Sequence, residues 1–371
     1  MTSTRVSLCL LALSVAHVPL LHASPTMIRL GYSDCATCHI SPQGGGLLTT
    51  YGKGVDEAQS FRRKELHPVD TATSRFLYDV RLVTASQLVD TLATSSQPVT
   101  SSTLRLQARS SARLSDRNRL SLAFGLESPA FGSLLGPTTA NVVVYKALYE
   151  YRPKENLEIA VGRDEMPSGI GLPDPLAFIR KGNDAGDTAY PTQVKASWYT
   201  HRLQLTPYAF GPGGDEPANL RQYGAGMVGG VDVWKQRAIV GMSTRASNAS
   251  TFTRQSVGAF ARLGFGKWGV LAEHDLTSRA AAAVNAPSSR HLAGHTQVFF
   301  APKEWLVTSL AVEHLVVDAA KASHIYRLTP GVQTRLTNNL TAIFNMRDAF
   351  TGVAAGRTRT FSVQLAVKTV Q

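Results

Sequence analysis

Five consecutive residues near the N-terminus, CATCH at positions 35–39, have the spacing that a c-type haem requires. Two thiols separated by two residues reach the two vinyl groups of one porphyrin, and the histidine that follows offers an imidazole to the iron. The chain's remaining cysteine, Cys9, lies in an apolar N-terminal stretch. The alternatives are a chance occurrence of the motif, a small disulfide loop, or a zinc loop that would need two further ligands. We predict one covalent haem c, held by Cys35 and Cys38 and ligated by His39.

The second axial ligand of the haem iron is not fixed by the sequence. His67 is the nearest histidine downstream of the motif, and Met27 is the methionine close to it. Alternatively, His67 is an exposed linker residue and Met27 belongs to a flexible N-terminus. The sixth position of the iron would then be open or occupied by water. His67 is therefore the first candidate for the sixth ligand, and Met27 is the second.

The first residues have the pattern of a secretory signal peptide. One arginine precedes the apolar stretch VSLCLLALSVAHVPLLHA, which ends beside small residues. Export supports the haem prediction, because covalent haem attachment takes place after export. The sequence thus predicts a signal peptide at 1–24, a haem-binding domain at 25–70 and a further domain at 71–371. The haem-binding domain is too short for an ample core, and a covalent haem would supply the missing apolar bulk.

The last three hundred residues alternate between apolar and polar side chains. Segments such as LSLAFGL, VGAFARLGF and TRTFSVQLAVKT have the period of two that is typical of β-strands. Sixteen such segments can be placed, from 75–92 to 357–370. Short turns follow the even-numbered segments and mostly longer loops follow the odd ones, as in bacterial outer-membrane barrels. We predict an all-β, 16-stranded transmembrane antiparallel barrel, in contact with outer-membrane lipid, rather than a soluble sandwich.

The two faces of the predicted strands can be told apart. In the third strand, the side chains that would face lipid are all apolar: Leu120, Leu122, Phe124 and Leu126. Arg119, Ser121 and Glu127 have the opposite parity and would face the interior. Pro207 and Pro330 disagree with this interpretation, because a proline inside a strand removes a backbone donor from the sheet.

An export signal, one CxxCH motif and a sixteen-strand barrel together resemble the outer-membrane cytochrome–porin fusion family. That family is associated with taking electrons from extracellular ferrous iron. The resemblance implies a haem inside the barrel, or on its periplasmic side, that passes electrons to periplasmic carriers such as soluble cytochromes. At the level of single residues, the resemblance to this family extends only to Cys35, Cys38 and His39. Whether the chain is also an enzyme, an iron oxidase, stays open.

The chain is strongly basic, with a formal net charge of +12, and part of this charge is predicted to face the barrel interior. Several arginines have inward parity, including Arg81, Arg105, Arg109, Arg113, Arg327, Arg335 and Arg347. A basic lumen concentrates anions and repels cations. The alternative function is therefore a passive, anion-preferring porin whose haem domain is a plug or a sensor. A third interpretation pairs these arginines with acids such as Asp79, Glu273 and Glu313. No nucleic-acid partner is expected for an exported barrel.

The longest predicted connection covers residues 165–191. A connection of this length is usually functional or disordered. It would either fold inward as a constriction or cover the mouth of the barrel, and its carboxylates are either cation ligands or solvated charges. His291 and His295 share strand parity, but they stand about 13 Å apart along a strand and cannot share one metal ion.

Overall fold

A computed structural model describes most of the barrel and parts of the segment that precedes it. The described residues are 25–32, 38–39, 47–60, 76–91, 99–127, 141–172, 177–181, 190–200, 202–213, 221–235, 237–281, 288–317, 324–351 and 357–368. Several predictions, on the signal peptide at 1–24, on Cys35 and on His67, lie outside these residues.

Sixteen antiparallel strands of the described residues close into one barrel, in which β1 pairs with β16. The strands are β1 Phe76–Thr91, β2 Val99–Arg113, β3 Asn118–Glu127, β4 Asn141–Lys154, β5 Leu157–Arg163, β6 Thr192–Tyr199, β7 Leu203–Gly211, β8 Tyr223–Asp232, β9 Ala238–Asn248, β10 Phe252–Phe265, β11 Trp268–Ala281, β12 Ser289–Lys303, β13 Leu306–Val316, β14 His324–Arg335, β15 Leu340–Thr351 and β16 Arg357–Lys368. The predicted fold class is confirmed.

The connections at one end of the barrel are all short, whereas those at the other end are mostly longer. The connection after each even-numbered strand is brief, as between β10 and β11, where residues 266–267 form the turn. β1 begins and β16 ends at this same end, because residue 81 of β1 faces residue 368 of β16. The segment that carries the haem motif therefore joins the barrel at the end with the short turns.

Apolar side chains cover the outer wall and polar side chains turn inward. In β3, Leu120, Phe124 and Leu126 are exposed, whereas Ser121 is buried. Large aromatic residues such as Trp268 are exposed near the short turns. Closure pairs the backbone groups without leaving an edge, so an outer wall of this kind can lie in lipid.

Each of the two prolines that argued against the barrel leaves a local gap in one ladder. The ladder between β6 and β7 has no pair at residues 206–207, and the ladder between β14 and β15 has none at 329–330. On the other side, Pro207 stays paired with Met227, and Pro330 with Leu310. A strand tolerates a proline when one neighbouring ladder opens around it.

The described residues include short helices that are not part of the barrel wall. They are a 3-10 helix at Pro25–Leu30, α1 at Thr50–Ala58 and α2 at Phe178–Lys181. Among the described parts of the chain, no helix has the length and apolar character needed to cross a bilayer.

Candidate functional site

Cys38 and His39 are the residues of the haem motif that the structure describes, and they lie in a buried turn. His39 is 2% exposed and Cys38 is 7% exposed. His39 pairs with Leu48 in an isolated antiparallel bridge. The backbone N–H of Thr49 donates to the carbonyl oxygen of Cys38 over 2.9 Å. The chain thus returns to the motif immediately before α1 begins.

Helix α1 packs directly on this turn. A β-carbon at position 52 would overlap the carbonyl oxygen of Cys38, so glycine is needed for this close approach. The N–H of Gly52 donates to the hydroxyl of Thr49 over 3.0 Å, which makes Thr49 the N-cap of α1. The helix therefore holds Cys38 and His39 in a fixed position.

The chemistry of these residues fits a covalent haem. A thiol and an imidazole on consecutive residues, both buried, are the groups that thioether linkage and axial ligation need. Of the two candidates for the sixth ligand, His67 lies outside the described residues. The thioether of Met27 accepts a hydrogen bond from Nε2 of Gln59 over 3.4 Å. The sixth ligand stays a prediction.

The described parts of the predicted haem-binding domain, residues 25–70, contact the inner wall of the barrel. Gly264 has the inward parity of β10, and a β-carbon at this position would overlap the backbone of Ile28. Asp56 of α1 forms an ion pair with Arg335 of β14, with 2.6 Å between the carboxylate oxygen and Nη1. Gly264 and Arg335 both lie close to the short turns. The segment is thus attached to two separated parts of the wall at this end of the lumen.

We expect Gly264→Val to displace the haem-binding domain from the wall. The valine side chain would occupy the space of the Ile28 backbone, which cannot move as a side-chain tip can. Trypsin should then cleave at Arg29 and Lys53 roughly tenfold faster, as about 1.4 kcal/mol of lost docking energy implies. Gly229→Val is the matched control, because Gly229 has the outward parity of β8 and a β-carbon there first meets a side-chain methyl of Leu205 at 3.1 Å. Equal cleavage of both variants would contradict the docking.

The long connection between β5 and β6 folds into the lumen. The backbone N–H groups of Gly169 and Ile170 donate to the carboxylate of Glu273 over 3.1 and 2.7 Å. The N–H of Phe178 donates to Glu313 over 2.9 Å. Both glutamates are buried in the wall on β11 and β13. For residues 164–172 and 177–181, the inward constriction is therefore confirmed, and we call these residues the constriction loop.

An ion-pair cluster fixes the start of the constriction loop. Asp164 lies 3.1 Å from the ammonium nitrogen of Lys146 and 2.6 Å from that of Lys195. Burial alone would raise the pKa of Asp164, but the two ammonium groups outweigh it and lower this pKa. Asp164 is therefore ionised at neutral pH and holds the loop where it leaves β5.

The N-terminal segment that precedes the barrel and the constriction loop meet in one apolar cluster inside the barrel. Ile28 belongs to this cluster. The loop contributes Ile170, Leu172, Phe178 and Ile179, and the wall contributes Ile239, Phe260, Leu271 and Phe299. Apolar packing of this kind excludes water, so the lumen is not a simple aqueous channel where this cluster lies.

Acidic residues neutralise several of the inward-facing arginines. Asp79 forms an ion pair with Arg109, and its carboxylate lies 3.6 Å from Nε of Arg81. Glu313 accepts a hydrogen bond from Nε of Arg327 over 2.6 Å. The predicted pairing of lumen arginines with Asp79 and Glu313 is confirmed.

The two inward-facing histidines of β12 have different partners. Nδ1 of His295 lies 3.4 Å from the carboxylate of Glu313, and Nε2 of His291 lies 3.1 Å from the hydroxyl of Ser289. Each of the two histidines thus lies beside a partner of its own.

Solved structures of bacterial porins resemble this chain. The anion-selective porin from Comamonas acidovorans has a TM-score of 0.58 and 13% identity, over 79% of this chain and 99% of the porin. OmpT of Vibrio cholerae, in a trimer form, has a TM-score of 0.58 and 10% identity, over 79% and 99%. OmpF of Salmonella typhi has a TM-score of 0.58 and 9% identity, over 79% and 97%. The fold is that of outer-membrane porins. No family model and no curated protein matches this porin-type barrel.

Proposed function

We propose that this protein is an outer-membrane cytochrome–porin that carries electrons from extracellular ferrous iron, through one covalent haem, to periplasmic carriers. One observation supports this proposal above the others. The segment with the haem motif is attached to the inner wall of a porin-type barrel, through Asp56 with Arg335 and through Ile28 with Gly264. The barrel would then serve as the anchor of the haem and as the insulating sheath around it.

Residues of this chain would each have a defined part in that function. The thiols of Cys35 and Cys38 would hold the haem covalently, and the imidazole of His39 would bind its iron. The bound haem supplies reversible one-electron exchange. The packing of Gly52 on Cys38 fixes the motif, and the apolar cluster around Ile28 limits the access of water.

The position of the haem-binding domain matters because of the thickness of the membrane. The apolar band of an outer-membrane barrel is about 25 Å tall. A haem below the barrel would leave almost this whole distance to an electron that arrives from outside. The contacts at Gly264 and Arg335 would keep the haem-binding domain within the lumen, near the short turns, and not below the barrel, and this favours an electron conduit.

Electron entry from the outside tests the proposal. In proteoliposomes that hold the purified protein in one orientation, we expect an impermeant donor at the outer face, such as chelated ferrous iron, to reduce the haem. Visible spectra would follow the reduction, and detergent-dissolved vesicles would give the total reducible haem. Vesicles that carry the Cys38→Ala protein and enclose a soluble c-type cytochrome as reporter are the control for non-specific electron leakage. Reduction from the periplasmic face alone would reject the conduit.

A passive, anion-preferring porin is the second candidate function. It is favoured by the fold that the chain shares with the anion-selective porin from Comamonas acidovorans, and by the inward arginines. In this case the haem-binding domain would be a plug or a sensor. Reversal potentials in planar bilayers would identify this function if chloride passes readily through the complete protein and external donors leave the haem oxidised.

A further inference from the structure

Two histidines on the outer face of the barrel have ring nitrogens at the separation of two ligands on one metal ion. His314 of β13 and His324 of β14 have the outward parity, and Nε2 of His314 lies 3.2 Å from Nδ1 of His324. Bonds from zinc to imidazole nitrogen are about 2.0–2.1 Å long, so ligands at roughly 90–110° around the ion stand about 2.8–3.4 Å apart. The pair already has this separation.

Aromatic stacking holds the two histidines in place. The ring of His314 stacks on that of Tyr326, its direct neighbour across the ladder, with 4.8 Å between the centroids and 19° between the planes. The ring of Tyr326 stacks in turn on Phe350 at 6.0 Å. Rings that are ordered in advance lose little further entropy when they bind an ion.

The pair lies at the rim of the barrel opposite the short turns. His324 is the first residue of β14, and it faces Val316, the last residue of β13. Tyr326 and Phe350 are exposed beside the pair. Aromatic residues in such positions mark the boundary between membrane and water in outer-membrane barrels. An ion from the medium can therefore reach the histidines without crossing the apolar band.

On the side of β12, the wall beside the pair is covered by the ring of a third outward-facing histidine. Gly294 lies directly opposite His314 in the next ladder. On its far side is His274 of β11, whose Nδ1 stands 2.6 Å from where a β-carbon of residue 294 would be. Within the described ranges, no group of three or more His, Cys, Asp or Glu side chains is placed to share one ion. The protein would thus supply two ligands, and water would complete the coordination.

We propose that His314 and His324 form a site for a divalent transition-metal ion on the outer rim of the barrel. Two imidazole ligands suit zinc, copper, nickel or ferrous iron, whereas calcium and magnesium prefer oxygen ligands. The site is separate from the haem motif, and it would exist whether the barrel is an electron conduit or a porin.

Zinc titration of the complete protein in detergent tests the site. By isothermal titration calorimetry, we expect His314→Asn and His324→Asn each to lose one equivalent of bound Zn²⁺, or to bind it at least about tenfold more weakly. His291→Asn is the matched control, because this histidine faces the lumen and lies beside Ser289. Heat-dependent migration in denaturing gels would show that each variant is a folded barrel. Wild-type stoichiometry and affinity in both variants, or no Zn²⁺ binding by the wild type, would overturn the proposal.

Discussion

Replacing both Cys35 and Cys38 with alanine is expected to give a folded barrel that carries no covalent haem. The sheet closes through the pairing of β1 with β16, and none of its strands includes the haem motif. Without the two thiols, no thioether bond to the vinyl groups can form. Haem-stained denaturing gels would measure the loss, and heat-dependent migration of the same band would report the closed barrel.

The control for this experiment is Cys9→Ala. This cysteine lies within the predicted signal peptide at 1–24, so its replacement should leave the haem content of the exported protein unchanged. Covalent haem that persists undiminished in the double variant would show attachment elsewhere in the chain, and the assignment of the motif would be wrong.

The barrel could be predicted from the sequence because its signal is local and repeated. Many strands alternate in the same way as β3, where Leu120 and Phe124 face outward and Ser121 faces inward. The sequence could not resolve the conflict raised by Pro207, because the answer depends on which neighbouring ladder opens around the proline. That choice is made by the pairing of the whole sheet.

The arrangement inside the lumen could be predicted only in part. The length of the constriction loop indicated a functional element, but its direction is fixed by Glu273 and Glu313, which lie more than a hundred residues away from the loop amides they accept. No local pattern identifies such partners. Gly264 did carry a signal, because glycine inside a strand often marks the close approach of another backbone. Its partner, Ile28, is set by tertiary packing alone.

The second large effect is expected in the conductance of the barrel. Deleting residues 27–68 would remove the domain attached at Gly264 and Arg335. We expect the single-channel conductance in planar bilayers to rise at least about threefold, because an unfilled sixteen-strand barrel encloses an aqueous lumen. The constriction loop would remain as a second obstacle. Adding Glu273→Ala and Glu313→Ala should raise the conductance further, because each hydrogen bond to a charged group contributes about 1.5–3 kcal/mol.

A comparison of two buried glutamates separates release of the loop from general damage to the wall. Glu158 also faces inward and is buried, but it forms its ion pair with Arg152, over 2.7 Å, beside the short turns. Glu158→Ala should therefore leave the constriction loop in place and change the conductance little, whereas Glu313→Ala frees the N–H of Phe178 and opens the loop. If the protein that lacks residues 27–68 and the wild type have equal conductance, the haem-binding domain does not stand in the path of ions. The current would then be limited by the constriction loop alone, and the domain attached near Arg335 would lie beside the aqueous path.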